Sequence, residues 1–320
     1  MSTATAQTSK PRRRWSRQAR HEAVSGWAFS LPFFLCFILV FIAPIVSAVR
    51  ASLFKQQAAG GGLYGNAGGE GGKVDVFVGL ENYVVAGTDP EFWKGVGRVM
   101  LFGIVQIPIM IGLALALALL LDSFLVRRKT VWRLGYFLPY AIPGLIAAII
   151  WGYLYIPEVS PFADFFPNME GNPFFLAPSI ALWSMANMTT WTYTGYNMLI
   201  FLAALQAIPR DLYEAARIDG ASGWKITTRI KIPMVSSAAL LAVLLSIVGT
   251  IQLFNEPTIL KKLTTWMPNT YTPMLMAYQT STGLLTPSGT GPASAISILM
   301  ALIAGVLAVA YFFAQRKVNQ

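Results

Sequence analysis

Few side chains in this 320-residue chain can do covalent or redox chemistry. There is one cysteine, Cys36, inside an apolar run, and one histidine, His21, in a basic N-terminal segment. An intrachain disulfide, a cysteine metal site and a Ser/His/Asp or Cys/His constellation are thereby excluded. Zinc or haem would find almost no ligands, so no metal and no cofactor are expected on this chain. What remains is recognition chemistry, in two groups. One is the segment 213–233, YEAARIDGASGWKITTRIKIP, which carries acids and bases between two apolar runs. The other is a polar and aromatic crowd: Trp183, Asn187, Thr189, Thr190, Trp191, Tyr193, Tyr196 and Asn197, followed by Gln252, Asn255 and Glu256.

The elements that must position these groups follow from composition. The chain is 55% hydrophobic and 12% charged, with mean hydropathy +0.55. A soluble domain carries about 25% charged residues, so most of this surface faces lipid. Crossing hydrocarbon as a helix takes about 20 apolar residues. Six runs qualify: 26–48, 99–121, 134–155, 179–205, 234–255 and 292–314. They lack the alternation of a barrel strand. The expected fold is therefore an all-α integral membrane protein of six transmembrane helices.

Orientation follows from lysine and arginine. With the N-terminus in the cytoplasm, inner segments hold 17 of the 24 basic residues, as the positive-inside rule requires. Both termini are then cytoplasmic, and the net charge of +10 is mostly a topology signal rather than a sign of nucleic-acid binding. The expected organisation is a basic tail over 1–25, a transmembrane domain over 26–315 and a short cytoplasmic end over 316–320. The first apolar core is too long for a cleaved signal peptide, despite the small residues Val46, Ser47 and Ala48. The outer insert 56–73 is dense in glycine and is expected to be flexible. Its Gly-Gly-Lys ending is no phosphate loop, because Ala67 and Val74 occupy positions that need Gly and Ser or Thr.

At membrane depth a polar side chain needs a partner or a water-filled cavity. Hydroxyl and amide groups beside flat aromatic faces suit a sugar. The candidate pathway residues are Trp183, Asn187, Thr190, Trp191, Tyr193 and Asn197, with Gln252, Asn255 and Glu256 near the outer end of span five. The plainer alternative is that Asn and Thr bond helices together while Trp and Tyr mark the interfaces.

The inner segment 206–233 reads as helix, corner, helix. Asp211 stands three residues before Glu214, a capping-box pattern worth about 0.5–2 kcal/mol for a helix from Leu212. Leu212, Ala215, Ala216 and Asp219 share one face. Gly220 is placed to end this helix in the left-handed conformation. Ser222 can cap a second helix that begins near Trp224 and carries Ile226 and Ile230, and Pro233 marks the entry to span five. A helix this short needs a surface to hold it, either its own bundle or a partner.

This stretch resembles the EAA loop of permease subunits of bacterial binding-protein-dependent ABC importers. Glu214, Ala215, Ala216, Asp219, Gly220, Ala221, Ile230 and Pro233 match at the family spacing, while Thr227 replaces the usual aromatic and Ile232 the usual Leu. Segments 77–103, 132–155, 203–216 and 251–260 are similar to the carbohydrate branch, the maltose- and glycerol-phosphate-type permeases. Residues 261–269, KKLTTWMPN, depart from its usual Gly-rich turn.

The resemblance implies a type I importer permease in the bacterial plasma membrane that carries a sugar, polyol or sugar phosphate. The EAA helix would dock on a separate ATPase, which binds the ATP and Mg, with Glu214 as a charged contact. The implied partners are a second, non-identical permease, two ATPase copies and an extracytoplasmic solute-binding protein. The absence of an acceptable phosphate loop fits an energy source supplied in trans. Readings of other classes are an ion-coupled secondary transporter, a membrane enzyme and a passive scaffold. They lack, respectively, a clear internal repeat with midplane charges, a catalytic constellation, and any account of the loop.

Overall fold

A computed structural model describes residues 17–58, 73–123, 126–161 and 165–318. The chain divides into two compact units, 1–50 and 51–320. The first is helical: α1 (Arg17–Phe37) passes through one π-turn over Ile38–Ile42 into α2 (Ala43–Ser52), whose last residues open the second unit. Pro32 lies within α1 without ending it.

The second unit opens with an antiparallel hairpin, β1 (Phe54–Ala58) on β2 (Lys73–Phe77), registered Phe54 to Phe77. The centre of the Gly-rich insert lies outside the described residues, and its two ends belong to these strands. A short helix α3 (Glu81–Thr88) is tied to the chain before β1 by Asn82, whose amide donates to the carbonyls of Ser52 at 2.7 Å and Phe54 at 2.9 Å. Asp89 then caps α4 (Pro90–Asp122) by accepting from the Glu91 N–H at 2.8 Å, with Pro90 pre-set at the first helical position. At 1.5 Å per residue α4 is about 50 Å long, ample for a bilayer core of about 30 Å.

Span three departs from the expected single helix. α5 (Lys129–Ala141) and α6 (Gly144–Leu154) meet at 95°. Pro143 is the cause: the residue before a proline is pushed out of helical geometry, and Ile142 sits at φ −81°, ψ 129°. α7 (Ala181–Gln206) is unbroken and packs most heavily against α4 and α5. The inner segment forms α8 (Arg210–Ile218), α9 (Gly223–Ile226) and, after a π-turn over Thr227–Lys231, α10 (Ile232–Met234). A 57° bend leads into α11 (Ser236–Ile251). α12 (Asn255–Leu263), α13 (Pro273–Ser281) and α14 (Thr290–Val318) complete the chain. Span five therefore also stops short, and residues 252–254 form a break instead of a helix end at 255. Among the described residues three helices are long and apolar enough to cross a membrane, or five when each bent pair counts as one span.

Three apolar clusters hold the second unit. One joins Leu121 of α4, Phe201 and Leu205 of α7 and Val235 beside the bend. A second joins Met185 and Met188 of α7 to Leu260 and Leu275. A third joins Phe92 and Val96 of α4 to Ile296 and Met300 of α14. Between α5 and α7 the backbones come so close that a Cβ on Gly195 would overlap the carbonyl oxygen of Tyr136. Gly195→Ala forces that backbone to move and should cost about 1–3 kcal/mol. Gly112→Ala, where no atom lies within 4 Å, is the control. The expected result is a lower Tm in detergent for the first variant and not for the second; equal Tm values would mean the α5–α7 contact is not tight.

Candidate functional site

α4, α5, α7 and α11 enclose a cavity of about 220 Å³ that the break at 252–254 and the start of α12 complete. From α4 come Phe102, Gln106 and Met110, and from the end of α5 comes Tyr140. α7 supplies Thr189, Tyr193, Tyr196 and Asn197, and α11 supplies Ser246, Gly249 and Thr250. Gln252, Asn255 and Glu256 close it. Tyr140 stacks on Tyr196 with ring centroids 4.6 Å apart and meets Tyr193 edge-on at 5.8 Å. Glu256 accepts a long bond of 3.4 Å from the Thr189 hydroxyl. It stands in the first turn of α12, where free backbone N–H groups favour a carboxylate. Among the described residues, no Lys, Arg or His lines the cavity.

Of the nine sequence-predicted pathway residues, Tyr193, Asn197, Gln252, Asn255 and Glu256 meet at this cavity. Trp183, Asn187, Thr190 and Trp191 lie outside its wall. Asn187 donates to the Tyr155 hydroxyl at 2.9 Å, which donates to the Ser184 carbonyl at 3.0 Å. Trp191 packs edge-on against Trp151 at 5.8 Å, and Trp183 is exposed. Thr190 touches the site indirectly, accepting from the Gln106 amide at 3.4 Å. Gln106 and Tyr140 were not anticipated. An amide alone in an otherwise apolar run of α4 is the signal that marks Gln106.

The inner loop is built by capping chemistry. α8 ends in a Schellman arrangement: the Ala221 N–H donates to the Ala216 carbonyl at 2.8 Å and the Gly220 N–H to the Arg217 carbonyl at 3.0 Å. Gly220 takes φ +76°, as this closure demands. Ser222 caps α9 by accepting from the Lys225 N–H at 3.4 Å. The expected capping box does not form. α8 begins at Arg210 behind Pro209, so Asp211 sits inside the first turn, where it favours the helix dipole. Glu214 is exposed and is not a reciprocal cap.

The face predicted for Leu212, Ala215 and Asp219 is exposed, with Ala216 half-buried. α8 is held instead through Tyr213, packed against the cluster around Leu121 and Val235. Burial, and after it the carboxylate of Asp122, push the Tyr213 phenol up from its ordinary pKa and keep it neutral. Ile218 at 86% and Trp224 at 76% exposed flank the corner at Gly220, and Ala221 is half-buried beside it. Ile230 lies in the π-turn and Pro233 just before the bend.

Residues 108–320 match the family described as "Binding-protein-dependent transport system inner membrane component". The chain is 30% identical over 302 residues to the lactose transport system permease protein LacF of Rhizobium radiobacter, covering 93% of this chain and 96% of that one. It is 28% identical over 257 residues to the arabinooligosaccharides transport system permease protein AraP of Bacillus subtilis, covering 77% and 75%. Its fold is similar to a chain in a crystal structure of a bacterial alginate ABC transporter in complex with an alginate pentasaccharide-bound periplasmic protein. That match has a TM-score of 0.74 at 17% identity and covers 97% of this chain and 99% of that chain. The chain belongs to this family of binding-protein-dependent transport components. It is a membrane protein and a transport subunit rather than an enzyme, and the ion-coupled alternative is set aside.

Gly220→Ala places a Cβ in the left-handed region at a cost of about 1 kcal/mol. Hydrogen exchange at the Ala221 amide should quicken about fivefold, since opening there becomes cheaper by that amount. Unchanged exchange would mean that the corner is not what holds α8 closed.

Proposed function

We propose that this chain is one half of the membrane pathway of an ATP-driven sugar importer in a bacterial plasma membrane. The six spans lie within α1 with α2, α4, α5 with α6, α7, α11 and α14, with segments 1–25 and 316–320 as cytoplasmic tails. α7 counts as a span because its 26 residues suffice in length and its polar Ser184, Thr192 and Asn197 are buried in protein rather than turned to lipid. Contacts join segments assigned to the same side of the membrane, which supports this topology. Asp122 meets Lys231 within the segments assigned inside. Thr270 donates to Glu91 and Arg98 to the Tyr271 carbonyl within those assigned outside.

The observation that carries the substrate reading is the cavity's wall, where amides, hydroxyls and tyrosines stand among apolar side chains and, among the described residues, no basic one. Such a wall bonds to sugar hydroxyls and stacks on ring faces. It favours an uncharged saccharide over a sugar phosphate, which would meet Glu256 and no cation. The sugar-named relatives point the same way. Glu214, Ala215, Ala216, Asp219, Gly220 and Ala221, with Ile230 and Pro233 behind them, form the loop that docks on the ATPase. The partners are two copies of that ATPase, which uses ATP and Mg, a second non-identical permease and an extracytoplasmic binding protein.

The test is purification of the tagged protein from its native membrane beside Gly220→Pro, which removes the corner's N–H and its positive φ. The wild type should retain an ATPase, a second permease and a binding protein whose eluted ligand is a neutral sugar. The variant should keep the permease and lose the ATPase. A wild type that purifies alone under every gentle condition removes the importer's central partner. An anionic ligand on the binding protein overturns the neutral-sugar reading only.

A further inference from the structure

Asp122 is the last residue of α4, where a carboxylate meets the negative end of the helix dipole. A local rule is broken there, and the compensation comes from far along the chain. The ammonium of Lys231 makes an ion pair with the Asp122 carboxylate across 109 residues, the two side chains only 16% and 20% exposed. The same ammonium lies 5.3 Å from the ring centre of Tyr213, a cation–π contact. Lys129 adds a 3.2 Å bond to the Asp122 backbone carbonyl. The inner end of α4, the anchoring side chain of α8 and the π-turn before the bend thus meet at one point.

The geometry around that point separates a soft route from a stiff one. From the loop to α11 the chain passes a π-turn and a 57° bend, and such a joint absorbs movement instead of passing it on. From Asp122 the helix α4 runs without a break to Met110, twelve residues and about 18 Å away at the cavity, and Pro108 comes only beyond that point. We propose that Asp122, Lys231 and Tyr213 form a strut that bypasses the bend and passes displacement of α8 into α4. Asp122 and Lys231 are then positioning residues for transport. This rests on the reading that α8 docks an ATPase.

The test uses the full transporter with Cys36→Ser and a reporter, Ser246→Cys, on the cavity wall. Maleimide labelling of that reporter is compared without nucleotide and with ATP and vanadate. Lys231→Met and Asp122→Asn should keep the ATPase bound, and the nucleotide-dependent change in labelling rate should fall about fivefold or more, the low end of an ordinary coupling between sites. The charge exchange Asp122→Lys with Lys231→Asp should restore it, which a variant damaged only in folding would not do. The proposal is overturned if the single variants respond as the wild type does, if they shed the ATPase, or if the exchange fails to restore the response. A wild-type chain without any bound ATPase instead sinks the docking reading on which the strut rests.

Discussion

Inside hydrocarbon there is no water to take a hydrogen bond, and everything in this molecule is arranged around that constraint. Hydroxyls on the spans spend themselves on their own helices. Thr192 donates to the Met188 carbonyl at 2.9 Å, Thr194 to Thr190 at 2.6 Å and Ser297 to Ala293 at 3.0 Å. Groups satisfied in this way have little left for a ligand. Cavity residues obey the same rule: Thr189 donates to the Met185 carbonyl at 3.0 Å, Ser246 to Ala242 at 2.7 Å and the Asn197 amide to Tyr193 at 3.0 Å, whereas the Gln106 amide reaches only Thr190 at 3.4 Å and Met110 Sδ at 3.3 Å. Of these, Gln106 keeps the most hydrogen-bonding capacity for a solute.

Broken backbone obeys the same constraint. Non-helical chain at membrane depth is tolerated where it is covered by protein or lines a cavity, and two of the breaks meet here. A Cβ on Gly144, just past Pro143, would stand 2.8 Å from the Asn255 amide nitrogen just past the break at 252–254. One break delivers Tyr140 to the cavity, and the other delivers Gln252, Asn255 and Glu256. Interrupting two helices is thus how aromatic and acidic groups are brought to a place that continuous apolar helices could not furnish.

How much of this was legible in the sequence depended on how local the cause was. Gly220 and Ser222 act on their immediate neighbours, so the corner and the second cap were readable from residue type alone. The capping box failed because Pro209 sets the start of α8 two residues before Leu212, a choice the motif does not encode. Span three was expected as one helix, since membrane helices tolerate proline; that Pro143 breaks it, and at 95°, is decided by tertiary packing. In α7 the helical period itself divides the polar crowd. Thr189, Tyr193, Tyr196 and Asn197 fall on one stripe and face the cavity, while Trp183, Asn187 and Trp191 fall on another and pack elsewhere. Gln106 stood out as a lone amide in α4, but placing it and Tyr140 at the cavity needed knowledge of which helices are neighbours, and composition does not carry that.

The segment from α8 to α10 lies outside the long apolar runs, where the constraint relaxes, and its surface shows it. Beside water a short helix could be polar all round, yet this one leaves Ile218 exposed, with Leu212 and Trp224 near it. Keeping large apolar groups in water is unfavourable by roughly 25 cal/mol for each Å² that could be buried. Tyr213 turns inward, with Ala216 half-buried, and fastens α8 to the ends of α4 and α7 through the cluster around Leu121 and Leu205. Away from Tyr213, α8 presents Asp211, Glu214, Arg217 and Asp219 together with Leu212 and Ile218, a mixed surface of charges and apolar groups. The length of α4 behind Asp122 is what the proposed strut would move.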